Sequence, residues 1–208
     1  MPTPNVLPVA LPRAFFDRPT DLVARELLGC RVFHRDGECL REGRVVETEA
    51  YLGERDRACH SSRGRTQRTE VMFGPPGMAY VYMIYGAHFC LNAVTRGEGV
   101  AEAVLIRAVE PVSDCLSQGD GPGLVCRALS VDRRLNGVDL GGPVLWIAAP
   151  ERSVVSVARG PRVGVDYSGA WARRLLRFWE KGSLHVSRAG GARAGAGRAR
   201  SPHGMRAP

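Results

Sequence analysis

Glu47-Thr48-Glu49 sets two carboxylates two residues apart, and Tyr51, Asp56 and His60 follow within eleven residues of Glu49. Such groups have three ordinary uses: solvated charges on a strand, ligands of a divalent metal completed by Asp56 or His60, or a general base that takes a proton from water. In an extended chain the period of two puts Val45, Glu47, Glu49 and Tyr51 on one face, with Val46, Thr48 and Ala50 on the other. A lone carboxylate beside Tyr51 in a partly apolar site gains basicity by desolvation, which water activation near neutral pH requires. Spacing leaves the three readings open. Arg107 ends the apolar run Val104-Leu105-Ile106, so its charge needs a partner, either the carboxylate of a structural ion pair or a phosphate.

The aromatic residues are unevenly placed. Tyr80, Tyr82, Tyr85 and Phe89 fall within ten residues of a chain that is 7% aromatic. Propensity reads them as the core of a sheet, with Tyr80 and Tyr82 alternating with Val81 and Met83. Chemistry offers a second reading, a surface on which bases stack. Tyr85, beside Gly86 at an expected hairpin tip, has little core to pack against and suits a wedge that enters a duplex.

The elements that must position these residues follow from local signals. Thr20 is placed to cap a helix that runs to Leu28 and ends at Gly29. Cys30–His34 and Gly43–Leu52 read as strands around an Asp36-Gly37 turn, and residues 53–70 read as a polar loop able to reach a phosphate. After the Gly74-Pro75-Pro76-Gly77 turn, Met78–Tyr85 and Phe89–Thr95 form a hairpin. Ala101–Val109 is a buried strand ending at Glu110-Pro111. Residues 112–150 give no clear order, and the stretch Trp171–Phe178 leads to a last strand near Val186.

Length and composition bound the rest. A chain of 208 residues with 44% apolar content supports one buried core. Residues 1–14, rich in proline, are expected as a flexible N-terminal arm, 15–187 as the domain, and 188–208 as a disordered Gly/Ala/Arg tail. The formal charge is +8, but Arg188, Arg193, Arg198, Arg200 and Arg206 of that tail account for five charges. The body is only mildly basic, so a nucleic-acid site must be argued locally. The six cysteines have no zinc-ribbon or finger spacing, and no apolar stretch is long enough to span a bilayer. A cytoplasmic protein with reduced thiols is expected, nucleoid-associated if the source is bacterial, and no membrane partner.

Taken together, these segments resemble the alkyladenine (3-methyladenine) DNA glycosylase family. The resemblance runs through Val46-Glu47-Thr48-Glu49-Ala50-Tyr51-Leu52-Gly53 with Asp56 and His60, then Tyr80-Val81-Tyr82-Met83-Ile84-Tyr85-Gly86 and Cys90-Leu91-Asn92. It continues in Leu105-Ile106-Arg107-Ala108-Val109-Glu110-Pro111, Gly121-Pro122-Gly123 and Arg162-Val163-Gly164, so that roughly residues 15–187 are covered. It implies an α+β fold, a single domain on a curved, largely antiparallel sheet with a protruding β-hairpin. It implies a monomeric, monofunctional glycosylase that flips alkylated purines out of double-stranded DNA and hydrolyses the glycosidic bond, leaving an abasic site for base excision repair. The substrates implied are 3-methyladenine and 7-methylguanine, with hypoxanthine and ethenoadenine as further candidates; no cofactor and no metal are implied.

By the same resemblance Glu49 matches the general base and Arg107 an arginine that helps hold the attacking water, while Glu47 has no such role. Tyr51, His60 and Tyr82 match residues that line the base pocket. Asn92 matches a residue that clashes with the exocyclic amine of guanine, Leu105 a neighbouring wall, and Tyr85 the intercalating tyrosine. Three positions depart from the family pattern: Leu124 where lysine is usual, Leu175 where proline is usual, and His88 where other members carry tyrosine. The one lysine, Lys181, lies far from these motifs, so no Schiff-base strand cleavage is expected.

Overall fold

The computed structural model describes residues 7–84, 86–154 and 156–187. Two short helices, α1 (Arg13–Phe16) and α2 (Thr20–Glu26), precede five strands: β1 (Arg31–Asp36), β2 (Cys39–Tyr51), β3 (Ala79–Ile84), β4 (His88–Thr95) and β5 (Glu102–Ser113). Then come α3 (Pro122–Ala128), β6 (Leu145–Ala148), β7 (Val157–Gly160) and β8 (Arg177–Glu180). All pairings are antiparallel, in the order β3-β4-β5-β2-β1-β6, with β8 joining β2 to β7. This is the expected α+β fold on one curled sheet.

The long strand β2 organises the sheet. Its first half pairs with β1, and Glu47–Glu49 then pair with β8 on that same edge while β5 follows almost the whole opposite edge. The main core lies on one face, where Val23 and Ala24 of α2, Leu27 just after it, and Val125 and Cys126 of α3 meet Val45, Ala50, Val104 and Ile106. A smaller cluster, containing Cys59, Met72, Phe73, Tyr80, Val94 and Ala103, covers the other face.

Several local expectations are corrected. Thr20 is the first helical residue behind Pro19 rather than the cap, and its hydroxyl donates to Glu102. A carboxylate one strand away competes better for that hydroxyl than a backbone N–H of its own helix. Both β1 and β2 run to a two-residue turn at Gly37-Glu38, so β2 starts at Cys39, before the expected Gly43. Strand β5 continues through Pro111, opposite Gly43; β4 pairs only with Glu102–Leu105, so the proline lies where β5 has one strand neighbour. Val45 does not share the face of Glu47, because the β2–β5 register shifts between Val45 and Glu47. No described residue near Val186 is in a strand; the last strand is β8. From Pro8 onward the proline-rich segment is bonded to β6, with Trp146 Nε1 donating to the Pro8 carbonyl and the Leu11 N–H to that of Ile147. Residues 1–6 and 188–208, where the rest of the arm and the whole tail are expected, lie outside the described residues.

Candidate active site

Most of the site is a single row of register. Tyr80 pairs with Asn92, Asn92 with Leu105, Leu105 with Glu49, and Glu49 with Arg177, across β3, β4, β5, β2 and β8. Residues directly opposite each other across antiparallel strands share a face. Thus residues far apart in sequence stand side by side on the face opposite the main core. Tyr82 lies two residues along β3 from Tyr80 and Tyr51 two along β2 from Glu49, on that same face.

Glu49 is wholly buried. Its Oε1 accepts from the Val163 backbone N–H at 2.9 Å and its Oε2 from the Tyr51 hydroxyl at 2.8 Å. Burial is the main force on its proton and raises its affinity; Arg107, the Val163 N–H and Tyr51 pull the other way, and Glu47 adds to the rise. The result is a carboxylate more basic than one in water. Burial, and then the charge of Glu49, hold the Tyr51 phenol well above its usual range, so it stays a donor.

Arg107 owes its position to two compensating register shifts. Val45 opposes Val109, Glu47 opposes Ala108, and Thr48 opposes Ile106, so β2 has an extra residue at Val46 and β5 an extra one at Arg107. Bulges of this kind re-aim a side chain. The Arg107 Nε lies 3.2 Å from Glu47 Oε1 and 3.5 Å from Glu49 Oε1. The partner that the apolar run required is therefore a carboxylate pair.

The segment bearing Val163 is itself pinned. Arg162 grips Asp56 with two bonds, Nη1 to Oδ2 at 2.5 Å and Nη2 to Oδ1 at 2.9 Å, and donates to the Ala50 carbonyl at 2.9 Å. Both side chains are fully buried, and the guanidinium lies 4.7 Å from the centre of the Tyr51 ring. Asp56 falls in the segment expected as a polar loop; its carboxylate also accepts from the N–H groups of Leu52 and Ala58, which ties the 53–70 segment into the molecule.

A cavity of about 380 Å³ opens on this face. Tyr51, His60, Tyr82, Asn92, Leu105 and Arg107 all line it, so every expected pocket residue is brought to one place. Glu49 does not line it directly; it stands behind Tyr51, Arg107 and Val163, which do. Tyr85 lies outside the described residues, between Ile84 of β3 and Gly86, whose φ of +70° suits glycine. His60 sets its ring edge on Tyr82, 4.5 Å between centroids, and its Nδ1 3.0 Å from the Tyr80 hydroxyl. Burial, then Arg68 and Arg63, depress its pKa to about 4, so the imidazole is neutral at physiological pH. Asn92 donates from Nδ2 to the Tyr80 carbonyl at 2.9 Å, which fixes its orientation. The Cys90 thiol in the wall is pushed up to about 11 by burial and is a poor nucleophile.

The alternative metal reading loses its ligands. Asp56 is held by Arg162, Glu47 by Arg177 and Arg107, and His60 faces tyrosines. Among the described residues no three His, Cys, Asp or Glu side chains gather as a metal site. Sequence reasoning assigned no role to Val163, Arg162, Tyr167, Pro122 or Cys90. The Arg162-Val163-Gly164 string was visible, but a backbone N–H leaves no side-chain signal.

An aromatic-walled cavity backed by a desolvated carboxylate has the shape and lining of a site for a flat ligand. The sequence model of the methylpurine-DNA glycosylase (MPG) family matches residues 14–184. A protein of Legionella pneumophila (strain Corby) is 49% identical over 179 residues, 86% of this chain and 98% of that protein. One of Myxococcus xanthus (strain DK1622) is 51% identical, over 86% and 93%, and one of Anaeromyxobacter dehalogenans (strain 2CP-C) is 53% identical, over 86% of each. All three carry the name "Putative 3-methyladenine DNA glycosylase". The chain belongs to the methylpurine-DNA glycosylase family, hydrolases that act on N-glycosyl bonds. No described helix is long and apolar enough to cross a membrane.

Proposed function

We propose that this enzyme excises alkylated purines from double-stranded DNA with Glu49 as general base, giving a free base and an abasic site. The observation that carries this reading is a fully buried carboxylate whose hydrogen-bond donors Tyr51 and Val163, with Arg107 at ion-pair distance, line the cavity. The volume of about 380 Å³ falls in the range of about 300–1,000 Å³ usual for small-molecule sites. Water gives its proton to Glu49 as its oxygen bonds to the anomeric carbon, and the bond from that carbon to the purine nitrogen breaks with its electrons going to the base. Methylation at N3 or N7 leaves the nucleoside cationic, so the base departs neutral without a strong acid. Tyr51, Tyr82 and a neutral His60 suit such a cation, because π faces attract it and an uncharged imidazole does not repel it. 3-Methyladenine and 7-methylguanine are the substrates favoured, with hypoxanthine and ethenoadenine as further candidates. Asn92 and Leu105 form the wall against ordinary guanine.

Glu49→Gln tests the reading in two directions. Excision from N-methylated duplex is expected to fall by about 10²–10⁴-fold, and equal rates in both proteins would eliminate the assignment. Stability should move the opposite way. Because burial raises the folded-state pKa of Glu49, keeping its carboxylate ionised in the folded state costs stability above the ordinary carboxylate range, and glutamine should unfold at the same temperature or higher. Tyr85, next to the β3–β4 reversal, is proposed as the wedge that fills the gap left by the extruded nucleotide. For Tyr85→Ala we expect weaker duplex lesion binding with single-stranded substrate less affected; an equal loss on both would remove the wedge.

A further inference from the structure

Glu47 is as deeply buried as Glu49, and the proposed chemistry leaves it without a part. Its Oε1 accepts from Arg177 Nε and lies 3.2 Å from Arg107 Nε, while its Oε2 accepts from the Ser187 backbone N–H at 2.7 Å. Ser187 completes the cluster. Its Oγ accepts from Arg107 Nε at 3.0 Å and its carbonyl from Arg177 Nη2 at 3.2 Å. A residue outside any strand or helix thus commits its N–H, hydroxyl and carbonyl to one buried group of two carboxylates and two guanidiniums. It stands three positions beyond the end of the family match at residue 184.

We propose that Glu47, Arg177 and Ser187 clamp the Arg107 guanidinium away from the Glu49 carboxylate, which makes Ser187 a positioning residue for excision. The inference rests on Glu49 being the base. Arg107 Nε has one hydrogen to donate. Ser187 Oγ takes it at 3.0 Å, whereas Glu47 Oε1 at 3.2 Å and Glu49 Oε1 at 3.5 Å stand within ion-pair distance without receiving it. A shift of a few tenths of an ångström would hand that hydrogen to Glu49, occupy a lone pair needed for the water proton and stabilise the anion. The clamp holds the charge close enough to order the site and too far to quench the base. Besides Arg107 and Glu47, the titratable groups facing Glu49 are Tyr51 on β2, Arg162 beside Val163, Tyr82 on β3, Cys90 on β4 and Arg177 on β8. Of these Ser187 bonds Arg177, through a backbone carbonyl that a side-chain change leaves in place.

The experiment is single-turnover excision from an N-methylated duplex across pH, corrected for spontaneous base loss, with lesion binding and thermal unfolding measured beside it. Ser187→Ala should move the acidic limb of the rate profile to lower pH by roughly half a pH unit or more, and lower the plateau by about threefold, with binding and unfolding temperature unchanged. Ser187→Thr, which keeps the hydroxyl, should restore both, and Glu47→Gln should move the limb the same way and further. A limb that stays in place or moves to higher pH in Ser187→Ala overturns the clamp, whatever the plateau does. Glu49→Gln in the same series separates the two ideas: if it excises normally the base assignment has failed, and if it is inactive while Ser187→Ala matches wild type the clamp alone has failed.

Discussion

At the cavity wall and just behind it, burial favours the neutral form of both His60 and Glu49, with opposite chemical results. It makes the acid a better base and the imidazole a weaker one. For His60 the folded-state pKa, about 4, lies below the ordinary value of 6.5, so the unfolded chain binds a proton that the folded one refuses. Stability is therefore lost as pH falls from about 6.5 to about 4, by up to about 3 kcal/mol. His60→Gln should lose less of its unfolding temperature over that interval than wild type, a difference of several degrees. Parallel curves of unfolding temperature against pH would show that His60 is not the group responsible. Both residues were readable as candidates from their types and neighbours, but the direction of each shift needed the packing around them.

At the scale of elements, the β2–β5 ladder and the loop after β7 do the positioning. The two register shifts cancel, so the sheet continues undisturbed on either side while Arg107 is turned toward both carboxylates. Alternation along a sequence cannot reveal this, since an extra residue in each strand leaves both composition and hydrophobic pattern unchanged. Val45 shows the consequence: the period of two placed it beside Glu47, and the bulge sends it to the main core instead. The loop after β7 depends on Asp56–Arg162. Asp56→Asn leaves a buried guanidinium without its partner, and we expect a loss of about 3–5 kcal/mol, together with slower excision as Val163 loses its fixed place beside Glu49. Thermal unfolding checks the first; an unfolding temperature equal to wild type would mean that the pair does not hold this loop.

At the scale of the molecule, most of the net charge lies in the arginines beyond Ser187, outside the described residues. We propose that they add sequence-independent affinity through phosphates and take no part in lesion choice. Replacing all five by glutamine should flatten the dependence of DNA affinity on salt by about one unit of log–log slope for each phosphate that an arginine had neutralised. The preference among lesions should be kept. A slope equal to wild type would assign the tail no part in DNA binding, and an altered preference would bring it into the site.

The sequence by itself determined the family and offered the candidate site residues, because side-chain types in a fixed order survive being read as a string. It also determined the main strands, whose apolar alternation is a local property. Only the tertiary structure decided that Tyr80, Asn92, Leu105, Glu49 and Arg177 form one row. The same holds for the Val163 backbone N–H that bonds Glu49 and for the place of Ser187 beside Glu47. The physical reason is that register, bulges and backbone donors depend on which strands meet and how they are offset, and no side chain records that locally.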